Sequence, residues 1–159
     1  SQNYGAGRYD RLKPILLRVQ ACVIVTGVIL GGLAVLFGRQ LLGIYSGSPE
    51  VIEVGMERLA IVCSTYALCG MMDAMVGSLR GLGYAVMPMI VSLLGVCVLR
   101  LVWIATIFQV PAFHTPATIY WSYPFSWIVT FLTHLGCYVW AMRRLKRHLA
   151  EEGRTLETL

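Results

Sequence analysis

ILLRVQACVIVTGVILGGLAVLF, residues 15–37, is the stretch of sequence that decides the fold. Only Arg18 and Gln20, both near its start, interrupt an otherwise apolar run. Roughly twenty apolar residues in a helix are enough to cross the hydrocarbon core of a bilayer. Gly27, Gly31 and Gly32 would give such a helix a small-residue face that a neighbouring helix can approach closely. The stretch predicts a membrane-spanning helix.

Three further apolar stretches follow the first one. The sequence therefore predicts an all-α fold, a polytopic transmembrane helix bundle. Its four spans are expected at about residues 15–37, 53–80, 84–110 and 119–142, between a cytoplasmic loop at 1–14 and a basic cytoplasmic tail at 143–159.

The overall composition supports a membrane environment. Hydrophobic residues make up 57% of the chain and charged residues 13%, with a mean hydropathy of +0.70, whereas soluble domains carry roughly a quarter charged residues. The net charge of +5 does not indicate a nucleic-acid partner, because the basic residues are confined to short segments flanking the apolar runs. Membrane lipid is the partner that this pattern predicts.

The distribution of basic residues predicts the orientation, since short loops rich in Lys and Arg stay in the cytoplasm. Arg39 and Arg58 lie on one side of the predicted bundle. The other side is richer in basic residues: Arg8, Arg11, Lys13, Arg80, Arg143, Arg144, Lys146 and Arg147. Both ends of the chain are therefore predicted to be cytoplasmic. The chain has no initiator methionine and no signal peptide, so we expect it to begin inside a longer protein whose N-terminal portion is missing here.

Asp73 is the sharpest candidate for a functional residue, because a carboxylate within a membrane span is costly and is kept mostly where it faces a cavity, pairs or titrates. It could exchange a proton or bind a cation as access alternates between the two sides. His134 is expected at a similar depth and could form a hydrogen bond or proton relay with it. The alternatives are a structural carboxylate bonded to a neighbouring helix and a histidine that only packs.

Arg100 is the other charge expected within a span, about 12 Å further from the cytoplasm than Asp73 at 1.5 Å per residue, and is therefore not paired with it. Tyr66, Ser64 and Ser126 are expected nearer its depth. Arg100 and Tyr66 could line a polar cavity, or the arginine could cap helix ends.

Neither a cofactor nor an enzymatic site is expected. The five cysteines are not spaced as a zinc or redox site, and the glycines near the N-terminus lack the pattern of a phosphate-binding loop. No nucleophile or paired carboxylates stand out. The basic tail could attract anionic lipids, although a role in fixing the topology is the simpler interpretation.

Two segments resemble signatures of the multidrug and toxic compound extrusion (MATE) family: residues 2–10, QNYGAGRYD, and residues 77–83, GSLRGLG. The motif residues are Gln2, Asn3, Gly5, Gly7, Arg80, Gly81 and Gly83. The helix start at Ser48-Pro49-Glu50 and the segment Pro88-Met89-Ile90 also fit, so the resemblance covers about residues 1–148.

The resemblance implies a secondary antiporter of the plasma (inner) membrane that exports drugs or organic cations in exchange for protons or sodium. The chain would supply helices nine to twelve of twelve, within the second of two six-helix lobes. Asp73 is the acid available to match a cation or proton site in helix ten. Some members place a tyrosine one turn before that acid, where this chain has Cys69. Sodium coordination in their manner is therefore not implied.

Two other functions remain open at this stage. A lipid-linked oligosaccharide flippase of related architecture would line its cavity with several arginines, for which Arg100 gives limited support. A four-helix membrane scaffold without a transport cycle would need no further helices.

Overall fold

A computed structural model describes residues 1–151 and 153. Within them the chain is helical and contains no strand. We number the α-helices in chain order: α1 (Gln2–Gly5), α2 (Leu12–Leu36), α3 (Gly38–Gly43), α4 (Pro49–Ser64), α5 (Tyr66–Gly81), α6 (Val86–Ser92), α7 (Leu99–Ala105) and α8 (Pro116–Glu151). The predicted all-α fold is confirmed.

Among the described residues, three helical segments are long and apolar enough to cross a membrane: Tyr9–Leu36, Val86–Gln109 and Pro116–Glu151. The consecutive helices α4 and α5, of 16 residues each, are too short to cross a membrane singly; together they are long and apolar enough, but the pair is bent by 43°. The chain thus offers three spans, or four when this bent pair is one broken span.

Small residues let the first span approach its neighbours, as their pattern predicts. A Cβ on Gly27 would lie 2.8 Å from the Cα of Ala67, and one on Gly31 would overlap the carbonyl oxygen of Cys63. Gly32 faces open space instead. α2 therefore packs on both halves of the bent pair, with the backbones held close by two of the three glycines.

The bend between α4 and α5 has a local cause. The hydroxyl of Thr65 donates to the carbonyl of Ile61 at 2.7 Å, and the hydroxyl of Ser64 donates to that of Ala60. Hydroxyls that bond back to the preceding turn compete with the backbone ladder and bend helices. The sequence predicts one continuous helix over residues 53–80, because the apolar pattern of this region contains no sign of such bonds.

The third span is also irregular. A π-helical segment, Leu93–Val98, separates α6 from α7. Its wider turn changes the register of the residues that follow, relative to an uninterrupted α-helix, and π segments occur frequently at functional sites.

The buried core lies towards one end of the bundle. It is formed by Leu16 of α2, Met75 and Leu79 of α5, Leu82, and Tyr138 and Ala141 of α8. Many apolar side chains of the spans are instead exposed, including Leu30 at 61% and Leu101 at 66%. Such a surface suits lipid or further transmembrane helices rather than water.

Candidate functional site

A buried row of polar side chains runs along α8. Its members recur every fourth residue: Ser122, Ser126, Thr130, His134 and Tyr138. Residues at this spacing lie on neighbouring turns of one helix face. Of this row, only Ser126 and His134 were predicted as polar residues of interest, although the spacing of four is a sequence signal that indicates the whole row.

This row meets the third span at three levels. Ser92 contacts His134, Gly95 lies against Thr130, and Arg100 bonds to Ser126. The two spans are antiparallel, since the residue numbers rise on one and fall on the other. The π segment lies between Ser92 and Arg100. Its wider turn helps these two residues, eight apart in sequence, to face the same helix α8.

Arg100 is held by an oxygen and two aromatic rings. Its Nε–H donates to Ser126 Oγ at 2.9 Å. Its guanidinium carbon lies 4.0 Å from the centroid of the Tyr123 ring and 5.8 Å from that of Trp127, within the range of cation–π attraction. Tyr66 joins the group through an edge-to-face contact with Trp127 at 6.0 Å. The structure thus brings together both residues that the sequence suggested as cavity-lining.

His134 is fully buried, with no exposed surface. Its Nε2 lies 3.2 Å from Ser92 Oγ, while its Nδ1 has no hydrogen-bond partner in the described part of the chain. The side chain is therefore anchored to the third span, not to Asp73 on α5.

Asp73 is exposed on the surface of the bundle, although its neighbour Met72 is buried. Among the described residues it makes no hydrogen bond and no ion pair, so the direct bond to His134 that we considered does not form. It does lie close enough to interact electrostatically with His134 and Cys69. The Asp73 carboxylate therefore faces out of this bundle, but it still interacts electrostatically with His134, a member of the buried row.

The two glycine-containing motif segments pack against each other. A Cβ on Gly81 would lie 3.0 Å from the backbone nitrogen of Ser1, and Tyr4 packs against the buried core that includes Leu79. Gly83, with φ +93°, ends the motif after α5 in a conformation that favours glycine. The motifs therefore form one structural unit at the end of the bundle where the core lies.

Comparison with known protein families identifies the family to which the chain belongs. The family model described as MatE matches residues 1–106, which include both motif segments, the first span, the bent pair and all but the last three residues of the third span. The chain belongs to the MatE family. Members of this family are membrane transporters, so the chain is a multi-pass membrane protein of a transporter family.

No curated protein and no solved structure gives a significant match to the chain. The MatE match ends within the segment before α8. The extension of the resemblance to residue 148, and the polar row on α8, therefore lie outside the matched region. Asp73 and Arg100 lie within it.

Proposed function

We propose that this MatE chain is part of a secondary antiporter that exports drugs or organic cations in exchange for protons or sodium. Asp73 is the residue proposed to load and release the coupling ion. The supporting observation is an exposed carboxylate that makes no hydrogen bond or ion pair with a described residue, on a helix of the bent second span.

The position of Asp73 carries the argument. It precedes the end of α5 by about eight residues, roughly 12 Å along the helix. A carboxylate facing hydrocarbon at that depth would cost several kcal/mol. Its exposure therefore favours a polar surrounding supplied by the rest of the transporter, such as a water-accessible cavity.

His134 is proposed as an accessory to ion coupling. Its direct polar contact is with Ser92, and it also lies near enough to Asp73 to interact with it electrostatically. Proton transfer between the two side chains would require an intervening water or a movement of α5 against α8.

Substitution of Asp73 by Asn in the full-length transporter tests the proposal. The amide keeps the size of the side chain but can neither ionise nor balance a bound cation. Efflux driven by a proton or sodium gradient is expected to be lost, because the coupling ion can then neither be loaded nor released at this position. Glu57→Gln provides a matched control, because Glu57 is an exposed carboxylate in the middle of α4, on the other half of the same broken span, and makes no hydrogen bond or ion pair with another described residue. Gradient-driven efflux by Asp73→Asn at the wild-type rate would show that the coupling role is wrong.

A further inference from the structure

The face of α8 opposite the buried polar row carries an open groove. The groove has a volume of about 790 Å³, and all of its lining residues belong to α8. One half of it is apolar and is formed by Leu132, Leu135, Gly136 and Val139. The two leucines and the valine are each at least 38% exposed, and a Cβ on Gly136 would meet nothing within 4 Å. This apolar half is therefore open to lipid.

The other half of the groove is basic. It is lined by Arg143, Arg144 and Arg147, whose spacing places their side chains next to each other on the helix. None of the three makes an ion pair with a described residue, and Glu151, one turn further along α8, contacts His148 instead at 4.0 Å. Like charges at such a spacing repel each other. This basic half therefore favours binding of an anion.

Trp140 lies between the two halves. Its ring packs edge-to-face with that of Tyr84, with centroids 5.6 Å apart, and the guanidinium carbon of Arg144 lies 5.6 Å from the Trp140 centroid. The second contact is within the range of cation–π attraction. Tryptophan is enriched where the hydrocarbon core of a bilayer meets the headgroups. The position of Trp140 thus indicates that the basic half lies at the level of the headgroups.

The length of the groove matches one leaflet of a bilayer. Leu132 and Arg147 are about 22 Å apart along the helix, at about 1.5 Å per residue. A bilayer with its headgroups is about 40–45 Å thick, so one leaflet has nearly the same dimension. Guanidinium groups suit phosphate oxygens, because their forked N–H donors can form paired hydrogen bonds with them. A phospholipid presents its phosphate and its acyl chains in the same order as the basic and apolar halves.

We propose that this groove binds an anionic phospholipid, with its phosphate in the basic half and an acyl chain in the apolar half. The site is independent of ion coupling, and it lies outside residues 1–106, which match the family model. It also differs from a role of the basic tail in fixing the topology. That role depends on the number of charges, not on which of them line a groove.

Two lipids that differ only in their headgroups test the proposal. Phosphatidylglycerol is anionic, whereas phosphatidylcholine with the same acyl chains is neutral overall. The purified full-length transporter is freed of lipid in a neutral detergent, and the dissociation constant of the first bound lipid is measured by native mass spectrometry. The wild type should bind phosphatidylglycerol at least about fivefold more tightly, the factor expected for one basic residue beside an anionic headgroup.

Arg144→Gln should weaken binding of phosphatidylglycerol about fivefold and that of phosphatidylcholine less than about twofold. Lys146→Gln is the matched control, because Lys146 is an exposed cation on the same turn of α8 that does not line the groove. This control should change neither affinity by more than about twofold. Equal losses of phosphatidylglycerol binding in the two variants would overturn the proposal, since they would indicate a general effect of positive charge.

Gly136→Phe tests the apolar half, because the added ring would occupy the groove. The affinity for phosphatidylglycerol should fall at least about fourfold, the factor expected for one displaced acyl methylene. Thr133→Phe is the control, since it adds the same ring at an exposed position of α8 outside the groove. It should lower the affinity less than about twofold.

Three further results would overturn the proposal. The first is unchanged affinity for phosphatidylglycerol in Gly136→Phe. The second is displacement of the lipid by an equimolar amount of glycerol 3-phosphate, because a soluble phosphate does not use the apolar half. The third is equal binding of the two lipids by the wild type, which is the result expected if another helix of the transporter covers the groove.

Discussion

Substitution of Gly95 by Ala tests the contact that holds the third span against α8. A Cβ at this position would overlap Oγ1 of Thr130 and lie 3.0 Å from its Cβ and 3.1 Å from its Cγ2. Rotation of the threonine cannot relieve the contact, because its own Cβ is among the crowded atoms. The hydroxyl is also bonded to the carbonyl of Ser126 at 2.7 Å.

The magnitude follows from two opposing effects. Overpacking of a closely packed contact costs about 1–3 kcal/mol, while replacement of a helical glycine by alanine gains about 0.5–1 kcal/mol. The free energy of unfolding should therefore fall by about 1 kcal/mol, within a range of about 0–2.5 kcal/mol. Gly136→Ala is the matched control on α8, since nothing lies within 4 Å of its Cβ position. This control should be neutral or slightly stabilising.

The assay is unfolding of the full-length protein in mixed micelles, titrated with a denaturing detergent. Thr130→Ala removes the two outer atoms of the crowded side chain. The double variant with Gly95→Ala should therefore lose less stability than the two single variants lose together. Wild-type stability of Gly95→Ala, combined with strictly additive effects in the double variant, would refute the close approach of the two spans at Gly95.

Two further predictions concern the buried histidine and the orientation. His134→Gln keeps a hydrogen-bond donor and acceptor for the contact with Ser92, but the glutamine cannot take up a proton. Gradient-driven efflux should therefore fall, by a smaller factor than in Asp73→Asn. Transport at the wild-type rate would remove His134 from the coupling mechanism. Two single-cysteine variants of the full-length protein, without other cysteines, test the orientation. Ser46→Cys should react with an impermeant thiol reagent added outside the cell, whereas Ala150→Cys should react only after the membrane is permeabilised. The reverse pattern would contradict the predicted orientation.

Much of the fold was predictable because long apolar runs have a single physical solution in a membrane. The run at residues 15–37 and its glycines predicted a span that packs closely on its neighbours, and Gly27 and Gly31 do so. The break at Thr65 was not predicted, since it depends on hydroxyl bonds to the preceding turn, which hydropathy does not detect. The π segment was missed for a similar reason: it changes hydrogen bonding without changing composition.

The candidate site was predictable in its charged members but not in its arrangement. Asp73 and Arg100 stand out because charge in a span is costly. The pairing of His134 with Ser92 rather than Asp73 depends on the rotation of α8 relative to both neighbours, which depth along a helix does not specify.

The sequence by itself determined the membrane environment, the helical class and the family, because hydropathy and the two motif segments are properties of consecutive residues. Only the tertiary structure decided which polar groups meet across helices. It placed Asp73 on the outside of the bundle and enclosed Arg100 between α7 and the aromatic rings of α8. The physical reason is that the face a helix presents depends on its bends, its π turns and its close contacts at small residues, and these are fixed only when the helices pack.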